Sequence, residues 1–428
     1  MVADMRCALQ QAVDITGTKK TIFAILECCL KANDWPALNE HIRTLSKKRA
    51  QLKQAVAEMV RLAMKYLEQT PDRETKIELI KTLCAVTEGK IYVEIERARL
   101  VRMHAKIQEE MGNIIEARNI MQAVAVETYG QMAKTEKIAF ILEQVRLCLD
   151  TGDFIRAAIL AKKISVRAFE REDTDDLGNK KKREEATESA AEGTPVLHEL
   201  KTMYYQLMIR YHMHSNNSLE VARCYLALYQ DKRISTDLSI SLGFLKKICW
   251  FIILSPFDSM QSSLLHQTAA DKNMDELPEH AKLLKQFITQ ELIDWPTLEQ
   301  EYAGEMMAEG DVFGGDQAEV RRSDLKLRVV EHNIHVVAKY YSRITLKKLA
   351  QLLELPSDES EKHLCSMIVS NALVAKIDRP AGIVTFVPKK DAAEVLNNWS
   401  RNIASLLELV EKSCHLIQKE AMQYKVTI

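Results

Sequence analysis

Two histidine pairs have the spacing at which side chains could bind a metal ion. His212-Met213-His214 matches the His-x-His start of a zinc hydrolase site, but the positions that would supply Ser and Asp ligands hold Ala222 and Tyr225. Without that carboxylate, zinc would lack the ligand set that protein sites provide. His332 and His335 lie three residues apart with no third ligand at usable spacing, which favours an interfacial or surface pair. The sequence therefore predicts no metal site.

Other catalytic and phosphate-binding patterns are absent from the sequence. It contains no P-loop, GxSxG, HExxH or GxGxxG spacing, which disfavours nucleotide, serine-hydrolase and zincin chemistry. The glycine-rich segment Gly310–Asp316 is acidic and has no following lysine, so it would repel a phosphate. Glu94, Glu96, Arg97 and Arg99 are expected to form a solvated, ion-paired helix face, with a carboxylate cluster in a groove as the alternative. We expect no enzymatic activity and no cofactor.

The composition favours a helical protein with more than one packed unit. The chain has 428 residues but only 13 glycines and 9 prolines, and helix-forming residue types dominate. Its 59 basic and 60 acidic residues nearly balance, so net charge gives no reason to expect nucleic acid or an anionic membrane as the main partner. There is no CxxC pair, no secretory-signal pattern and no apolar run long enough to span a membrane. We expect a soluble protein of the cytoplasm and nucleus.

The region 1–170 has the pattern of a helical-repeat solenoid. Apolar residues recur at helical spacing, and similar polar turns occur at Asn33–Ala37, Gly112–Ala117 and Gly152–Ala157. A fourth turn, Asn216–Ala222, follows later in the chain. Two antiparallel helices per repeat of about 40 residues are the signature of an α-solenoid. Unrelated helical hairpins with ordinary polar turns are the alternative.

Two segments interrupt the helical pattern. Residues 171–196 are mostly charged or small and polar, and they cannot bury enough apolar surface to offset their ordering entropy, so a flexible loop is expected. Helical repeats should continue over 197–303, with a buried central helix at the apolar run Ile248–Leu254. The glycine-containing stretch 304–323 is expected to be a second flexible loop, at a domain boundary.

Residues 324–388 have the pattern of a winged helix. Two apolar helical faces are followed by a third helix for which Ser357 is the expected N-cap. Two strand-like runs, LVAKID and IVTFV, then flank the turn Arg379–Gly382. Three helices followed by a two-stranded wing predict the winged-helix fold.

The segment 389–428 predicts one long helix with an apolar seam. Its apolar residues alternate three and four apart over roughly three heptads, as in helices that pack against other helices. The core of the same chain and a bundle with helices of other subunits are equally compatible with this seam. The residues expected to bind partners in such a bundle are Leu396, Trp399, Ile403, Leu406, Val410 and Ile417.

A winged helix can also bind DNA, which gives a competing hypothesis. Its third helix would bring Asp358, Glu359 and Glu361 near phosphates and base edges, where negative charge is repelled. The basic residues near the wing, among them Lys376 and Lys389-Lys390, form only a modest patch. DNA binding is therefore the less favoured function, and neither nucleic acid nor a membrane is expected as a partner.

Several short segments of the sequence are distinctive. They are 87–100 (TEGKIYVEIERARL), 146–149 (RLCL), 255–258 (SPFD), 329–334 (VVEHNI), 338–341 (AKYY), 343–345 (RIT) and 358–361 (DESE). The order of solenoid, winged helix and terminal helix resembles the PCI-domain subunits of the proteasome lid, the signalosome and translation initiation factors. These short segments resemble the corresponding sequences of the 26S proteasome non-ATPase regulatory subunit 12 family. Relative to that family the amino terminus looks shorter, and the loop at 178–196 looks inserted.

The resemblance implies an architecture and a structural role. The fold would be all-α dominated: a TPR-like α-solenoid, then a winged-helix PCI module with a small β-hairpin and a long C-terminal helix. The role would be that of a non-catalytic scaffold that supports lid assembly and ATP-dependent degradation of ubiquitinated proteins. A scaffold subunit of the signalosome or of a translation initiation factor is the alternative.

The resemblance also implies partners. The chain would be part of a hetero-oligomer with other lid PCI subunits, the lid deubiquitinase and the partner subunit of that enzyme, and the solenoid would reach toward the core-particle α-ring. On the winged helix, the partner-binding residues implied by this layout are Lys376, Arg379, Ile383 and Phe386. The terminal helix would join a bundle shared with sister subunits.

Overall fold

The computed structural model describes residues 15–47, 53–170, 193–231, 237–314, 317–386 and 392–424. The chain divides into two compact units, Met1–Tyr211 and His212–Ile428. Helices dominate both units, and the strands found among the described residues form one small sheet in the second unit. The predicted fold class, helical repeats followed by a winged-helix module, is confirmed.

The first unit is a succession of helices joined by short connections. Three of these connections contain 3-10 turns, at Leu67–Gln69, Ile91–Val93 and Val126–Thr128. The helices are α1 (Ile15–Lys31), α2 (Trp35–Lys47), α3 (Lys53–Tyr66), α4 (Arg73–Thr87), α5 (Glu94–Glu110), α6 (Ile114–Gln122), α7 (Lys134–Asp150), α8 (Phe154–Lys162), α9 (Arg167–Glu170) and α10 (Leu197–His214), the last of which continues into the second unit.

The similar turns identified in the sequence adopt one conformation. Each contains a residue with positive φ, Asn33, Gly112, Gly152 or Asn216, and glycine and asparagine tolerate that left-handed region best. In each turn the next residue donates its backbone N–H to the carbonyl five residues earlier, at 2.9 to 3.1 Å. This is the Schellman arrangement, which ends one helix and sets the start of the next. The recurrence of one turn geometry supports a repeat rather than unrelated hairpins.

Ion pairs connect α1, α3, α5, α7 and α10 of this unit in succession. The pairs are Lys19–Glu58 (α1 and α3), Arg61–Glu96 (α3 and α5), Arg99–Glu136 and Arg146–Glu109 (α5 and α7), and Arg210–Asp150 (α7 and α10). Arg99 holds Glu136 with two nitrogen–oxygen contacts, at 2.8 and 3.0 Å. The acidic residues Glu96 and Glu136 are both buried.

This arrangement corrects the expectation of a solvated face at the start of α5. The prediction treated Glu96 and Arg99 as exposed, but Glu96 is only 3% exposed and Arg99 bonds to a buried carboxylate. Helix α5 lies between α3 and α7, so the face that carries these residues meets its neighbours instead of water. One-sided helical periodicity does not reveal a helix that is packed on two sides.

The second unit contains the remaining helices and the sheet. Its elements are α11 (Ser218–Tyr229), α12 (Leu238–Leu254), α13 (Ser259–Ala269), a 3-10 turn (Lys272–Glu276), α14 (Pro278–Ile288), α15 (Trp295–Ala308), α16 (Gly310–Phe313), α17 (Ala318–Tyr340), β1 (Arg343–Thr345), α18 (Leu346–Leu353), α19 (Ser357–Val369), β2 (Ala375–Asp378), β3 (Ile383–Phe386) and α20 (Ala392–Tyr424). The helix predicted as central is confirmed, because every residue of Ile248–Leu254 in α12 is buried. Trp250 lies edge-on to Tyr302 and Phe313, which ties α12 to α15 and α16.

The stretch 304–323, expected as a flexible loop, is largely helical. Helix α15 continues to Ala308, Gly310–Phe313 forms a turn of helix, and α17 begins at Ala318. Val312 is fully buried, and Arg321 donates side-chain hydrogen bonds to the carbonyls of Asp311 and Val312. These tertiary contacts order a segment whose glycine content suggested disorder. Of the other predicted loop, residues 171–192 lie outside the described part, and α10 begins just after it.

The winged helix consists of α17 to α19 and a three-stranded antiparallel sheet in the order β1-β3-β2. The sequence pattern predicted only the two wing strands, because β1 has three residues and gives no detectable alternation. Ser357, expected as an N-cap, is the first residue of α19, and the cap position is held by Pro356 without a side-chain hydrogen bond. The core of this module includes Leu349, Leu364 and Val384.

Candidate protein-interaction surfaces

The terminal helix α20 is the most exposed apolar element among the described residues. It runs for 33 residues, about 50 Å, with no break. Trp399 is 67% exposed, and all other predicted seam residues are also exposed. The seam therefore is not covered by the core of its own chain, which was the first of the two possibilities left open by the sequence.

The apolar surface of α20 is wider than the predicted seam. Successive side chains are about 100° apart around the helix axis. The exposed apolar side chains therefore occupy an arc of roughly 180°, with Leu416 at one edge and Leu407 at the other. Four further exposed residues of this arc, Val395, Leu407, Leu409 and Leu416, flank the heptad positions and were missed by the sequence reasoning. Their residue type was the available signal, but a two-position heptad template ignores flanking positions. An arc of this width can contact two neighbouring helices at once.

The attachment of α20 to the rest of the unit is limited. It packs against α13, where burial and the positive charge of Arg401 lower the pKa of His266. Further along, Lys412 pairs with Glu408 on the helix itself. Four acidic and three basic residues are distributed over the helix, so its charge gives little basis for recognition. Its apolar arc is the feature that can select a partner.

The four predicted winged-helix residues differ in accessibility. Lys376 is exposed on the edge strand β2, and Ile383 is partly buried in the central strand β3. The Nε atom of Arg379 is 2.7 Å from Glu361 Oε1, which joins the wing turn to α19. Phe386 is only 6% exposed and packs in the winged-helix core. Phe386 therefore stabilises the module, and its inclusion as a partner-binding residue was wrong because the alternation of a four-residue strand did not fix which face is buried.

The histidines that were tested as metal ligands have other environments. His332 approaches the carbonyl oxygen of Glu291 through Nε2 at 3.2 Å, and its ring lies against Phe287. His335 stacks on Phe257 with a centroid distance of 4.5 Å, and burial lowers the pKa of this histidine to about 4. The pair thus packs against neighbouring elements of its own unit and is not a surface pair. No group of three potential metal ligands is present among the described residues.

A second titratable cluster lies inside the helical part of this unit. The Nε2 atom of His280 is 3.1 Å from Glu305 Oε2, and His280 is almost completely buried next to Trp250. Burial lowers the pKa of His280 to about 4, whereas burial and a hydrogen bond with Glu279 raise the pKa of Glu305 to about 7. Both shifts favour the neutral forms of these groups, so this cluster is better explained as a neutral core contact than as an acid–base pair for catalysis.

The surface that a DNA-binding winged helix would use is acidic. Asp358 and Glu359 occupy the first turn of α19, and Glu361 neutralises Arg379 at the wing. Phosphates would meet negative charge at the position where DNA-binding proteins place basic or neutral groups. Lys389 and Lys390 lie outside the described residues. The described part of this surface gives no support to DNA binding.

Three family descriptions match successive parts of the chain. The description "PSMD12/CSN4, N-terminal" matches residues 5–183 and 187–237, "PCI domain" matches 279–387, and "26S proteasome regulatory subunit RPN5 C-terminal domain" matches 393–425. The chain is 54% identical over 420 residues to 26S proteasome non-ATPase regulatory subunit 12 homolog A of Arabidopsis thaliana, covering 98% of the chain and 95% of that relative. The chain belongs to the 26S proteasome non-ATPase regulatory subunit 12 family.

More distant members of the subunit 12 family align over similar lengths. The Dictyostelium discoideum 26S proteasome non-ATPase regulatory subunit 12 is 39% identical, over 100% of the chain and 89% of the relative. The Saccharomyces cerevisiae 26S proteasome regulatory subunit RPN5 is 36% identical, over 97% of the chain and 88% of the relative. The C-terminal family match nearly coincides with α20, so the exposed apolar helix is a family element and not an irregular extension. None of the helices in the described part combines the length and apolar composition required to cross a bilayer.

Proposed function

We propose that this protein is a non-catalytic scaffold subunit of the proteasome regulatory-particle lid, which supports lid assembly and ATP-dependent degradation of ubiquitinated proteins. The single observation that carries the proposal is the exposed apolar arc of α20, which lies in the part of the chain that matches the RPN5 C-terminal domain. An apolar surface of this length on a helix with limited attachment is costly in water and is covered when helices of several subunits associate. The names of the relatives support the choice of the proteasome over the signalosome and initiation factors.

The partners follow from the same proposal. The terminal helix would join a bundle of lid subunits, and the winged helix, with Lys376 and Arg379 exposed near its wing, would contact a neighbouring PCI subunit. The lid deubiquitinase with its partner subunit, and the core-particle α-ring, are the further proposed neighbours. The proposed location is the cytoplasm and nucleus, and the proposed boundaries of the winged helix are 324–388.

Two aspartates in the apolar arc test the bundle. Trp399→Asp with Ile403→Asp should remove the chain from the complex, because buried aromatic and aliphatic anchors each contribute on the order of 2 kcal/mol or more to an interface. Since α20 is exposed, the isolated variant should retain its helical circular dichroism. Co-sedimentation with the sister subunits is the measurement, and undiminished co-sedimentation would contradict the bundle assignment.

The matched control places two aspartates on the opposite face of the same helix. Ala404→Asp with His415→Asp adds the same two negative charges outside the apolar arc, at two exposed positions. This variant should still co-sediment. If the control variant is lost from the complex to the same extent, the effect of the first pair comes from charge or helix stability and not from the apolar surface.

The absence of catalysis is tested separately. His214→Ala should leave the degradation rate of the assembled particle unchanged.

A further inference from the structure

A groove lies beside the winged helix on the second unit and is not part of the surfaces described above. Its volume is ≈520 Å³. The connection between α14 and α15 forms one wall, the C-terminal end of α17 forms the other, and the last turn of α18 closes one side. Residues that line the groove include Gln290, Leu292, Val336, Tyr340, Tyr341 and Leu352.

The wall formed by the α14–α15 connection is fixed to α17 by hydrogen bonds. The side-chain amide of Asn333 donates to the carbonyl of Ile293 and accepts from the N–H of Ile293, both at 2.8 Å, and Asn333 is buried. The Tyr340 hydroxyl donates to the carbonyl of Gln290 at 3.3 Å. Because these bonds hold the wall in place, the groove is preformed and a ligand would not have to order the connection.

The groove has an apolar floor and exposed edges. Val336 and Val337 are buried beneath it, whereas Tyr340 is 65% exposed and Tyr341 and Leu292 are also exposed. Tyrosine gives a large contact area at a low cost in side-chain entropy, and it is enriched where proteins bind proteins. One or two aliphatic side chains of a ligand would pack on the valines between these edges.

Three exposed carboxyl groups border one end of the groove. Glu291 lies between two lining residues of the connection, and Asp294 is the last residue before α15. Glu354 directly follows α18. All three are exposed, and none has an ion-pair partner among the described residues. Between Lys285 and Arg321 the sequence contains no lysine, arginine or histidine, so this wall has no positive charge of its own to balance them.

Two of these carboxyl groups meet across the end of the groove. The side chains of Asp294 and Glu354 are hydrogen-bonded to each other, and this bond, together with the negative charge of Asp294, raises the pKa of Glu354. Glu354 is placed there by the left-handed conformation, φ 55°, that ends α18. Carboxyl groups this close favour sharing one proton, and a lysine or arginine side chain beside them would allow both to ionise.

The basic residues of the winged helix lie away from this end. Lys339 is on α17, but about 100° around the helix axis from the residues of that helix that line the groove. Arg343 is in β1, and Lys347 and Lys348 are in the first turn of α18. The step from Lys348 to Glu354 along α18 is about 9 Å. The positive charge of α18 is therefore at the end of the helix opposite to the carboxyl groups.

We propose that this groove binds a segment of a partner protein in which one or two aliphatic residues adjoin a lysine or arginine. The aliphatic side chains contact Val336, Val337 and Leu352, and the cationic side chain lies among the three carboxyl groups. Opposite charge at one end of an apolar groove fixes the direction of the segment and rejects acidic competitors. A nucleic acid would be repelled by the carboxyl groups and would leave the valine floor without an apolar contact. Neither α20 nor the wing takes part in this contact.

Photo-crosslinking in the assembled complex tests the occupant. A benzoylphenylalanine is introduced in place of Tyr341, and the complex is purified through a tag on this chain, irradiated and analysed by mass spectrometry. The expected product is a crosslink to a segment of another protein that contains leucine, isoleucine or valine next to lysine or arginine. A crosslink to an acidic segment, to nucleic acid or to a second copy of this chain, or the absence of any intermolecular crosslink in a fully assembled complex, would each overturn the proposal.

Charge reversal at the carboxyl groups provides the second measurement. Glu291→Lys with Glu354→Lys, in the crosslinking background, should reduce the crosslink yield about tenfold, because like charges across an interface strongly oppose binding. The matched control, Glu276→Lys with Glu319→Lys, makes the same change at two exposed positions of the second unit that do not line the groove, and should retain the yield. Equal yields from both variants, or equal losses, would refute the charge assignment. Thermal unfolding of each variant verifies that it is folded.

The opposite reversal tests which end of the groove selects the ligand. Lys347→Glu with Lys348→Glu should retain or raise the crosslink yield, because it adds negative charge to a groove that receives a cation. A loss as large as that expected from the Glu291 and Glu354 variant would show that the lysines bind the segment, and the proposal would fail.

The outcomes separate this proposal from the proposed function. If the terminal-helix variant still co-sediments, the bundle assignment fails and the groove is unaffected. If the native complex assembles but position 341 forms no intermolecular crosslink, the groove proposal fails and the bundle is unaffected.

Discussion

The repeat unit and the C-terminal unit both bury polar side chains between helices, but they neutralise them differently. In the repeats, the buried side chains of Glu96 and Glu136 are paired with Arg61 and Arg99 from other helices of the unit. In the C-terminal unit, the imidazoles of His280 and His335 pack against aromatic rings, and burial lowers their pKa values.

The difference follows from the architecture of each unit. A solenoid helix contacts only its neighbours in the stack, so each interface needs a contact that fixes how the two helices align. An ion pair distinguishes the correct alignment from others better than another apolar contact does. The C-terminal unit gathers α12, α14, α15 and α17 around one core, where shape already fixes the packing. There a neutral ring fills space without the desolvation cost of a charge. The first unit should therefore respond to loss of a charge, and the second to protonation.

The largest expected effect is the loss of a cation from the repeats. Arg99→Leu leaves the buried carboxylate of Glu136 without its partner and should destabilise the first unit by about 3–5 kcal/mol, the cost typical of breaking one side of a buried pair. Hydrogen exchange of peptides from α5 and α7 should accelerate, while peptides of the second unit stay protected. Lys412→Ala, which breaks an exposed pair in α20, is the control and should leave the stability nearly unchanged, because solvent screens such a pair. Similar effects of the two changes would remove the distinction between the units.

Acidification should produce a smaller effect, mainly in the second unit, although burial also lowers the pKa of His104 in the first unit. The pKa of His335 is about 4 in the folded chain, against an ordinary value of 6.5, so the unfolded state takes up the proton first as the pH falls. Stability is thus complete above pH 6.5 and is lost progressively toward pH 4, on the order of 2 kcal/mol at pH 5 for this group. Glu305 acts in the opposite sense, because its raised pKa favours the folded state at low pH and this contribution is lost as the pH rises through about 7.

Replacement of one imidazole isolates that acid response. His335→Phe keeps a ring against Phe257 and removes the titration, so the loss of stability of the second unit between pH 7 and pH 5 should shrink. Urea unfolding at several pH values, followed by hydrogen exchange of α17 peptides, measures it. His415→Asn, at an exposed position of α20, should leave the pH dependence unaltered. An acid response of the first unit equal to that of the second would contradict the comparison.

The smallest expected effect concerns the repeated turns. Gly152→Ala forces a residue with a Cβ into the left-handed region at φ 77°, where no atom obstructs the new methyl group, so the cost is purely conformational. We expect a destabilisation of about 1 kcal/mol. At Asn33, which adopts φ 54°, substitution by glycine should be neutral or stabilise by a few tenths of a kcal/mol. Urea midpoints of the two variants check the sign, and a stabilising Gly152→Ala would exclude the shared turn geometry.

Local patterns in the sequence were sufficient for several features. These features depend only on spacing within one helix or turn, so they can be predicted without knowing which elements pack against that segment. They are the glycine and asparagine turns, the apolar run Ile248–Leu254 and the heptad pattern of α20. Short strands could not be predicted in the same way. The three residues of β1 are too few to show a period, and the four residues of β3 did not reveal that Phe386 faces the core. Gly310–Phe313 is held as a helical turn by contacts with Trp250, which is distant in the sequence, and with Arg321 of the next helix.

The sequence by itself determined the helical class, the repeat, the winged helix and the apolar character of the terminal helix, because these follow from residue type and periodicity along one segment. Only the tertiary structure decided which charged residues are buried, since Glu96 and Arg99 look like surface residues until α3 and α7 are placed on either side of them. It also decided that the seam of α20 is free of its own core. Burial and convergence depend on what lies opposite each side chain, and a pattern along the chain contains no such information.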